Sequence, residues 1–218
     1  MNWKIFSTET CLLCGTPQRG DQLYHGLCLN CRAEIQQEPG PFRFTVQDVD
    51  ITAARAFTGI TRDCIALWKT GGYQRLGAFL TEALLEPLTT FILDIEGMVM
   101  PILVPVPALR KNRRRRGFDQ AVAIARYLAT SAGWDVATPL RRHGWVAQKT
   151  LDRVHRQENV QSAFSINREQ AEQLRSMHRP LVLVDDVLTT GATVHRCAEL
   201  LGPCSTMPVS VVVIATKM

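Results

Sequence analysis

The hydrophobic pattern of this chain changes near Ile51, beyond which helix-like and strand-like segments alternate. Residues 73–88 place Leu76, Phe79, Leu80, Ala83 and Leu84 on one helical face, and the spacing predicts a helix ending near Pro87. Residues 102–106 are a short apolar run suited to a buried strand, followed by a basic loop. A helix is predicted from Asp119 to Ser131, stopped at Gly133. Residues 181–184 form a second buried strand, 192–201 a helix ended by Gly202 and Pro203, and 209–215 a closing strand. Strand, loop, helix and strand repeated in this order predict an α/β fold, a mostly parallel sheet flanked by helices. In such sheets ligands bind beyond the carboxyl ends of the strands, which directs attention to the loops after Val106 and Val184.

Composition bounds this picture without changing it. The chain has 218 residues, 46% hydrophobic and 21% charged, which suits one globular domain with a small module and excludes a disordered or fibrous chain. Its longest nearly apolar stretch, residues 97–109, is broken by Pro101, Pro105 and Pro107 and is shorter than the roughly 20 residues that cross a bilayer. No membrane insertion is expected. The first residues, MNWKIFSTETCLLCG, lack the apolar core of a secretion signal, so a cytoplasmic location is expected. Net charge is +5, yet Arg110, Lys111 and Arg113 to Arg116 place six cations within seven residues. The basicity is therefore local, which points to one anionic site or one exposed arm rather than to a generally basic surface.

Four of the seven cysteines, Cys11, Cys14, Cys28 and Cys31, form two C-x2-C pairs. Two intervening residues let both thiolates of a pair face one tetrahedral ion, and two pairs close a complete zinc shell with no position left for catalysis. The zinc inferred here is structural. A reducing cytoplasm disfavours disulfides, and paired spacing disfavours chance thiols. Cys64, Cys197 and Cys204 share no such spacing and read as buried core thiols. Residues 36–42, QQEPGPF, read as a hinge. The expected organisation is a zinc ribbon over residues 1–38, a linker over 39–49 and a larger domain over 50–218.

The segment LVLVDDVLTTGATV, residues 181–194, is the richest in chemistry. A strand delivers Asp185 and Asp186, and the small-residue turn of Thr189, Thr190, Gly191, Ala192 and Thr193 opens into a helix. Small residues let backbone N–H groups approach an anion, and a helix N-terminus adds roughly half a positive charge. The turn lacks the lysine of a P-loop and the glycine pattern of a dinucleotide site. Acids beside a phosphate cradle suit a phosphorylated sugar, whose vicinal hydroxyls donate to carboxylates.

VLVDDVLTTGATV resembles the 5-phosphoribosyl-1-pyrophosphate (PRPP) motif of type I phosphoribosyltransferases. The resemblance implies a type I phosphoribosyltransferase-like domain in which Asp185 and Asp186 hold the ribose hydroxyls. Residues 189–193 would hold the 5-phosphate, so the expected PRPP site runs through Asp185, Asp186, Val187, Leu188, Thr189, Thr190, Gly191, Ala192 and Thr193.

A second block, LVPVPALRKNRRRRGFDQAVAIA, resembles the VPVP, basic run and RGFNQ signature of the ComF/GntX family. Members of that family join a cysteine cluster to a phosphoribosyltransferase-like domain. Gln148, Leu151, Arg156, Asn159, Val160, Ala163 and Phe164 match a third family pattern, and Lys69 matches a recurrent lysine. Asp119 stands where the family usually has Asn, and Ala147 where proline is common.

By this resemblance Lys69 and some of Arg113, Arg115 and Arg116 would contact PRPP, the arginines at its pyrophosphate, with magnesium bridging pyrophosphate oxygens and sugar hydroxyls. Six cations exceed the need of one pyrophosphate, so a solvated arm or a nucleic-acid contact accounts for the remainder. Two functions are implied: a PRPP- and zinc-binding factor supporting DNA uptake in natural transformation, with single-stranded DNA or uptake machinery as partner, or a phosphoribosyltransferase of nucleotide salvage. In the second, Asp185 and Asp186 would be the catalytic pair.

Overall fold

The computed structural model describes residues 8–93, 99–143 and 163–217. Gln148, Leu151, Arg156, Asn159 and Val160 lie outside the described residues, as do Trp145 and His155.

The most apolar β-branched run, SVVVIAT, forms strand β10 (Ser210–Thr216), and every residue in it is buried. It is the spine of a six-stranded sheet ordered β3-β4-β10-β9-β5-β6. These strands are β3 (Phe42–Val46), β4 (Val49–Ala56), β5 (Ile102–Pro105), β6 (Asp135–Val136) and β9 (Leu181–Leu188). All pairings are parallel except β3 with β4. The expected class, a mostly parallel sheet covered by helices beside an N-terminal cysteine cluster, is what the chain adopts.

Strand alternation divides the core into two layers. On one face Val182, Val184, Val212 and Ile214 meet α2 (Gly59–Gly71), α3 (Gln74–Glu82) and α6 (Gln120–Ala132) through Trp68, Leu76, Leu80, Ile124 and Leu128. On the other, Leu181, Leu183, Val211 and Val213 meet α7 (Arg168–Met177) and α8 (Ala192–Leu201) through Leu174, Val194 and Leu201. A hairpin of β7 (Leu140–Arg142) and β8 (Phe164–Ile166) joins this second layer. Cys64, Cys197 and Cys204 are buried thiols, and Trp68 and Trp134 are core residues. No helix among the described residues is long and apolar enough to cross a membrane.

Four expectations are corrected. The helix expected over 73–88 is two, α3 and α4 (Leu85–Leu93), separated by Ala83 and Leu84. Pro87 falls in the first turn of α4, where its missing N–H leaves no intrahelical bond unmade, so it helps to open a helix instead of closing one. The basic loop is a two-turn helix, α5 (Arg110–Arg116), because arginine is a good helix former and Gly117 supplies a left-handed cap at φ 80°. Strand β9 runs past Val184 to Leu188, its ladder with β10 continuing to the pair Thr216 and Leu188. Finally, β3 lies within residues 39–49 and pairs as the edge of the main sheet.

Candidate functional site

The cysteine module is built from β1 (Thr8–Thr10), β2 (Pro17–Arg19) and α1 (Leu29–Gln37). Cys28 caps α1, Cys31 sits in its first turn, and the turn that carries Cys11 and Cys14 bends through Gly15 at φ 72°. The four sulfurs lie within 4.8 Å of one another. Cys11 Sγ is 3.8 Å from Cys31 Sγ, and Cys14 Sγ is 3.8 Å from Cys28 Sγ. A tetrahedron with zinc–sulfur bonds of about 2.3 Å has edges of about 3.8 Å, so the spacing fits one zinc-sized ion and is far too long for disulfides. Burial pushes the Cys31 thiol upward, so four thiolates can share this space only around a cation. The Cys28 N–H donates to Cys11 Sγ at 3.4 Å, as a thiolate ligand requires. The four residues can therefore hold a metal such as zinc.

One carboxylate helps to fasten the module to the main domain. Glu82 Oε1, at the end of α3, accepts from Tyr24 Oη at 2.7 Å and Tyr127 Oη of α6 at 2.8 Å, and lies 3.1 Å from His25 Nε2. These hydrogen bonds hold the Glu82 carboxyl below its ordinary range against the opposing effect of burial, the largest influence on it.

At the carboxyl end of β9, Asp185 and Asp186 are half-buried, followed by exposed Thr189 and Thr190 and buried Gly191. Gly191 has φ 79°, and a Cβ there would meet Val46 Cγ1 at 2.7 Å, so the turn into α8 requires glycine on two counts. Thr193 and Ala192 lie in the first turn of α8, and Val187 and Leu188 complete β9. Lys69, in the last turn of α2, reaches this rim from the opposite end of the chain: its Nζ is 2.8 Å from Asp186 Oδ2, with the side chains only 22% and 14% exposed. The Asp186 N–H donates to Asp185 Oδ1 at 2.8 Å. Burial, followed by the Asp186 charge, pushes Asp185 up to about 7, while Lys69 and Arg142 oppose the rise.

The arginine cluster divides. Consecutive helical residues point about 100° apart, so Arg113 to Arg116 cannot all face one ligand. Arg113, Arg114 and Arg115 are exposed. Arg116 is half-buried, and its Nη1 donates to Gln120 Oε1 at 2.7 Å. The Ala108 N–H donates to Asp119 Oδ2 at 3.1 Å, which explains a carboxylate here: it fastens the segment leaving β5 to the start of α6. Arg116 Nε, Asp119 Oδ1, Gln120 Nε2 and Arg142 Nε are buried without hydrogen-bond partners among the described residues. Buried polar atoms left in this state call for a ligand or solvent molecule.

Of the residues singled out from the sequence, the structure thus brings Lys69 onto Asp186, places the acid pair at the head of the glycine turn, and leaves Arg113 and Arg115 facing solvent. Sequence reasoning missed Arg142, Gln120 and Glu82. The RGFDQ motif was the one available signal for Gln120; Arg142 and Glu82 carry none.

No protein-family model matches the chain. It is 29% identical over 194 residues to DNA utilization protein YhgH of Salmonella typhimurium, covering 88% of this chain and 77% of that protein. The chain is similar to proteins of the ComF/GntX family. Another relative, Competence protein F of Haemophilus influenzae, is 30% identical over 105 residues, 45% of this chain and 43% of that one. Among solved structures, glutamine PRPP amidotransferase from B. subtilis complexed with ADP and GMP aligns with a TM-score of 0.36 and 18% identity. The alignment covers 65% of this chain and 25% of that larger enzyme.

Proposed function

We propose that the protein binds PRPP and zinc in the cytoplasm and supports DNA utilization of the kind its relatives are named for, including uptake during natural transformation. The observation that carries the PRPP reading is the continuity of three parts: the Asp185 and Asp186 pair, the turn that only Gly191 fits, and the N-terminus of α8, with Lys69 on Asp186 at 2.8 Å. Carboxylates accept the ribose hydroxyls, while the N–H groups and hydroxyls of residues 189–193 receive the 5-phosphate. Magnesium would be held through pyrophosphate oxygens and water, and would supply charge neutralisation at the leaving pyrophosphate. Arg116 is the arginine best placed for that anion, being half-buried with an unpartnered Nε. Exposed Arg113, Arg114 and Arg115 remain for phosphates of single-stranded DNA.

Calorimetry with Mg-PRPP on wild type and Asp186→Ala tests the sugar clamp. Wild type should bind and the variant should lose about tenfold or more in affinity, about 1.4 kcal/mol; equal affinities would remove the clamp. For DNA, replacing Arg113, Arg114 and Arg115 by Gln should flatten the salt dependence of single-strand binding by about two units of slope.

A second reading, transfer of the ribosyl group to an acceptor, is favoured by the Arg116 and Gln120 pair, whose Nε and Nε2 atoms are buried without partners among the described residues. Pyrophosphate would leave the anomeric carbon through an oxocarbenium-like state that the Asp185 and Asp186 charges stabilise. A metabolite screen for acceptors that stimulate pyrophosphate release decides between the two.

A further inference from the structure

We propose that Gln120 is a positioning residue for Arg116, the buried amide that holds this guanidinium ready for the pyrophosphate of PRPP. The inference rests on the PRPP reading and adds to it the side chain that stands behind the arginine.

The chain leaves β5 beside the acid pair. Pro105 pairs with Val184, and the Val106 N–H donates to the Val184 carbonyl at 2.9 Å, one residue before Asp185. The excursion is closed at Asp119, whose Oδ2 accepts from the Ala108 N–H at 3.1 Å. Within it α5 ends at Gly117, where a φ of 80° breaks the helix, and α6 begins at Gln120. Phe118, inside the break, places its ring centre 5.9 Å from that of Trp68, the buried residue that precedes Lys69 in α2. The backbone next to Arg116 is thereby anchored to β5 on one side and to α2 on the other.

A fixed backbone does not fix an arginine, whose long side chain keeps many rotamers in solvent. Arg113, Arg114 and Arg115 are exposed. Arg116 is half-buried, and its Nη1 donates to Gln120 Oε1 at 2.7 Å across the Gly117 break. Gln120 is itself only 2% exposed. A buried amide costs stability unless both its ends are paired, and Gln120 Nε2 has no acceptor among the described residues. Packing alone would be served by an apolar residue, as it is at Ala121, Ile124 and Leu128 of the same helix. What the amide supplies and they cannot is an oxygen that accepts from a guanidinium. That oxygen is also neutral. A carboxylate in its place would hold Arg116 equally well but cancel its charge, whereas an amide orients the cation and leaves the charge for an anion from outside.

The test compares wild type, Gln120→Met, Arg116→Met and the double variant. Calorimetry uses two separate probes, inorganic pyrophosphate with magnesium and ribose 5-phosphate, and NMR relaxation reads the order of the Arg116 Nε–H without ligand. Gln120→Met should weaken pyrophosphate binding about fivefold or more, leave ribose 5-phosphate within about twofold, and release the Arg116 Nε–H into fast motion. Because Gln120 acts through Arg116, it should add less than about twofold once Arg116→Met is present. An Arg116 Nε–H as ordered in Gln120→Met as in wild type overturns the proposal. So do losses that multiply independently in the double variant, or an equal loss for ribose 5-phosphate. If wild type binds neither probe while Gln120→Met still releases Arg116, the positioning stands and the PRPP reading falls. Binding of ribose 5-phosphate without pyrophosphate overturns the proposal and leaves the sugar clamp standing. Should Gln120→Met not fold, Gln120→Glu keeps the acceptor oxygen and adds a competing charge: Arg116 should stay ordered while pyrophosphate binds about fivefold or more weakly, and an unchanged pyrophosphate affinity overturns the proposal.

Discussion

The cysteine module and the rim of the main sheet are both clusters of groups that cannot stand together unassisted, but they are assembled in different ways. All four thiols of the module come from residues 11–31, brought together by two short turns and the start of one helix. At the rim, Asp186 depends on Lys69, which arrives from α2 far away in the chain. The module waits for an external cation, whereas the rim carries its own. One consequence is that removing the metal should undo a fold, while removing a rim cation should retune a site.

The sharpest way to break this contrast is Cys28→Ser or Cys31→Ser. Either should abolish stoichiometric zinc and with it most of an apparent binding energy on the order of 10 kcal/mol, melting the module as seen by circular dichroism and metal analysis. An unshifted melting temperature would mean that the module is held by packing alone. Next in size is Gly191→Val, which forces a β-branched residue to φ 79° against Val46. A loss of about 2 kcal/mol or more in chemical denaturation is expected, together with loss of Mg-PRPP binding. Lys69→Met strips Asp186 of a largely buried partner, and a cost of about 1–3 kcal/mol is expected; the double variant with Asp186→Asn should recover part of it.

A smaller effect sharpens the rim side through pH. Asp185 titrates higher in the folded protein than in the unfolded chain, where an ordinary carboxyl of 3.8 applies. The native state therefore binds the extra proton. Its contribution is fully present below the unfolded value and is lost as pH rises through about 7. Thermal melts of Asp185→Asn against wild type should show the variant gaining relative stability over that interval; a flat difference would mean the acid is not desolvated. The smallest expected change is Glu82→Gln, about 1 kcal/mol, since Tyr24 and Tyr127 keep a neutral acceptor.

What could be read from the sequence follows the same division. The four cysteines that could hold a metal were legible because their geometry is set by spacing along the backbone. Strands β5, β9 and β10 and helices α6 and α8 were legible because burial leaves a continuous apolar run or a 3.6-residue stripe. Lys69 was found only by resemblance; nothing in IALWKT shows that α2 ends beside β9. Pro87 misled for a different reason: proline stops a helix or starts one, and only the break at Ala83 and Leu84 decides which.

Glu82 carries one more implication. The apolar cluster beneath it is continuous, running from Leu27, Cys31 and Ile35 into Trp68, Leu76 and Leu80. A truncated chain starting after the cysteine pairs would strand an anion that two phenols and an imidazole were sharing, and bare an oily wall at the same time. Experiments that dissect this protein into halves would be studying a wound; chelation or point substitution in the intact chain is the cleaner knife.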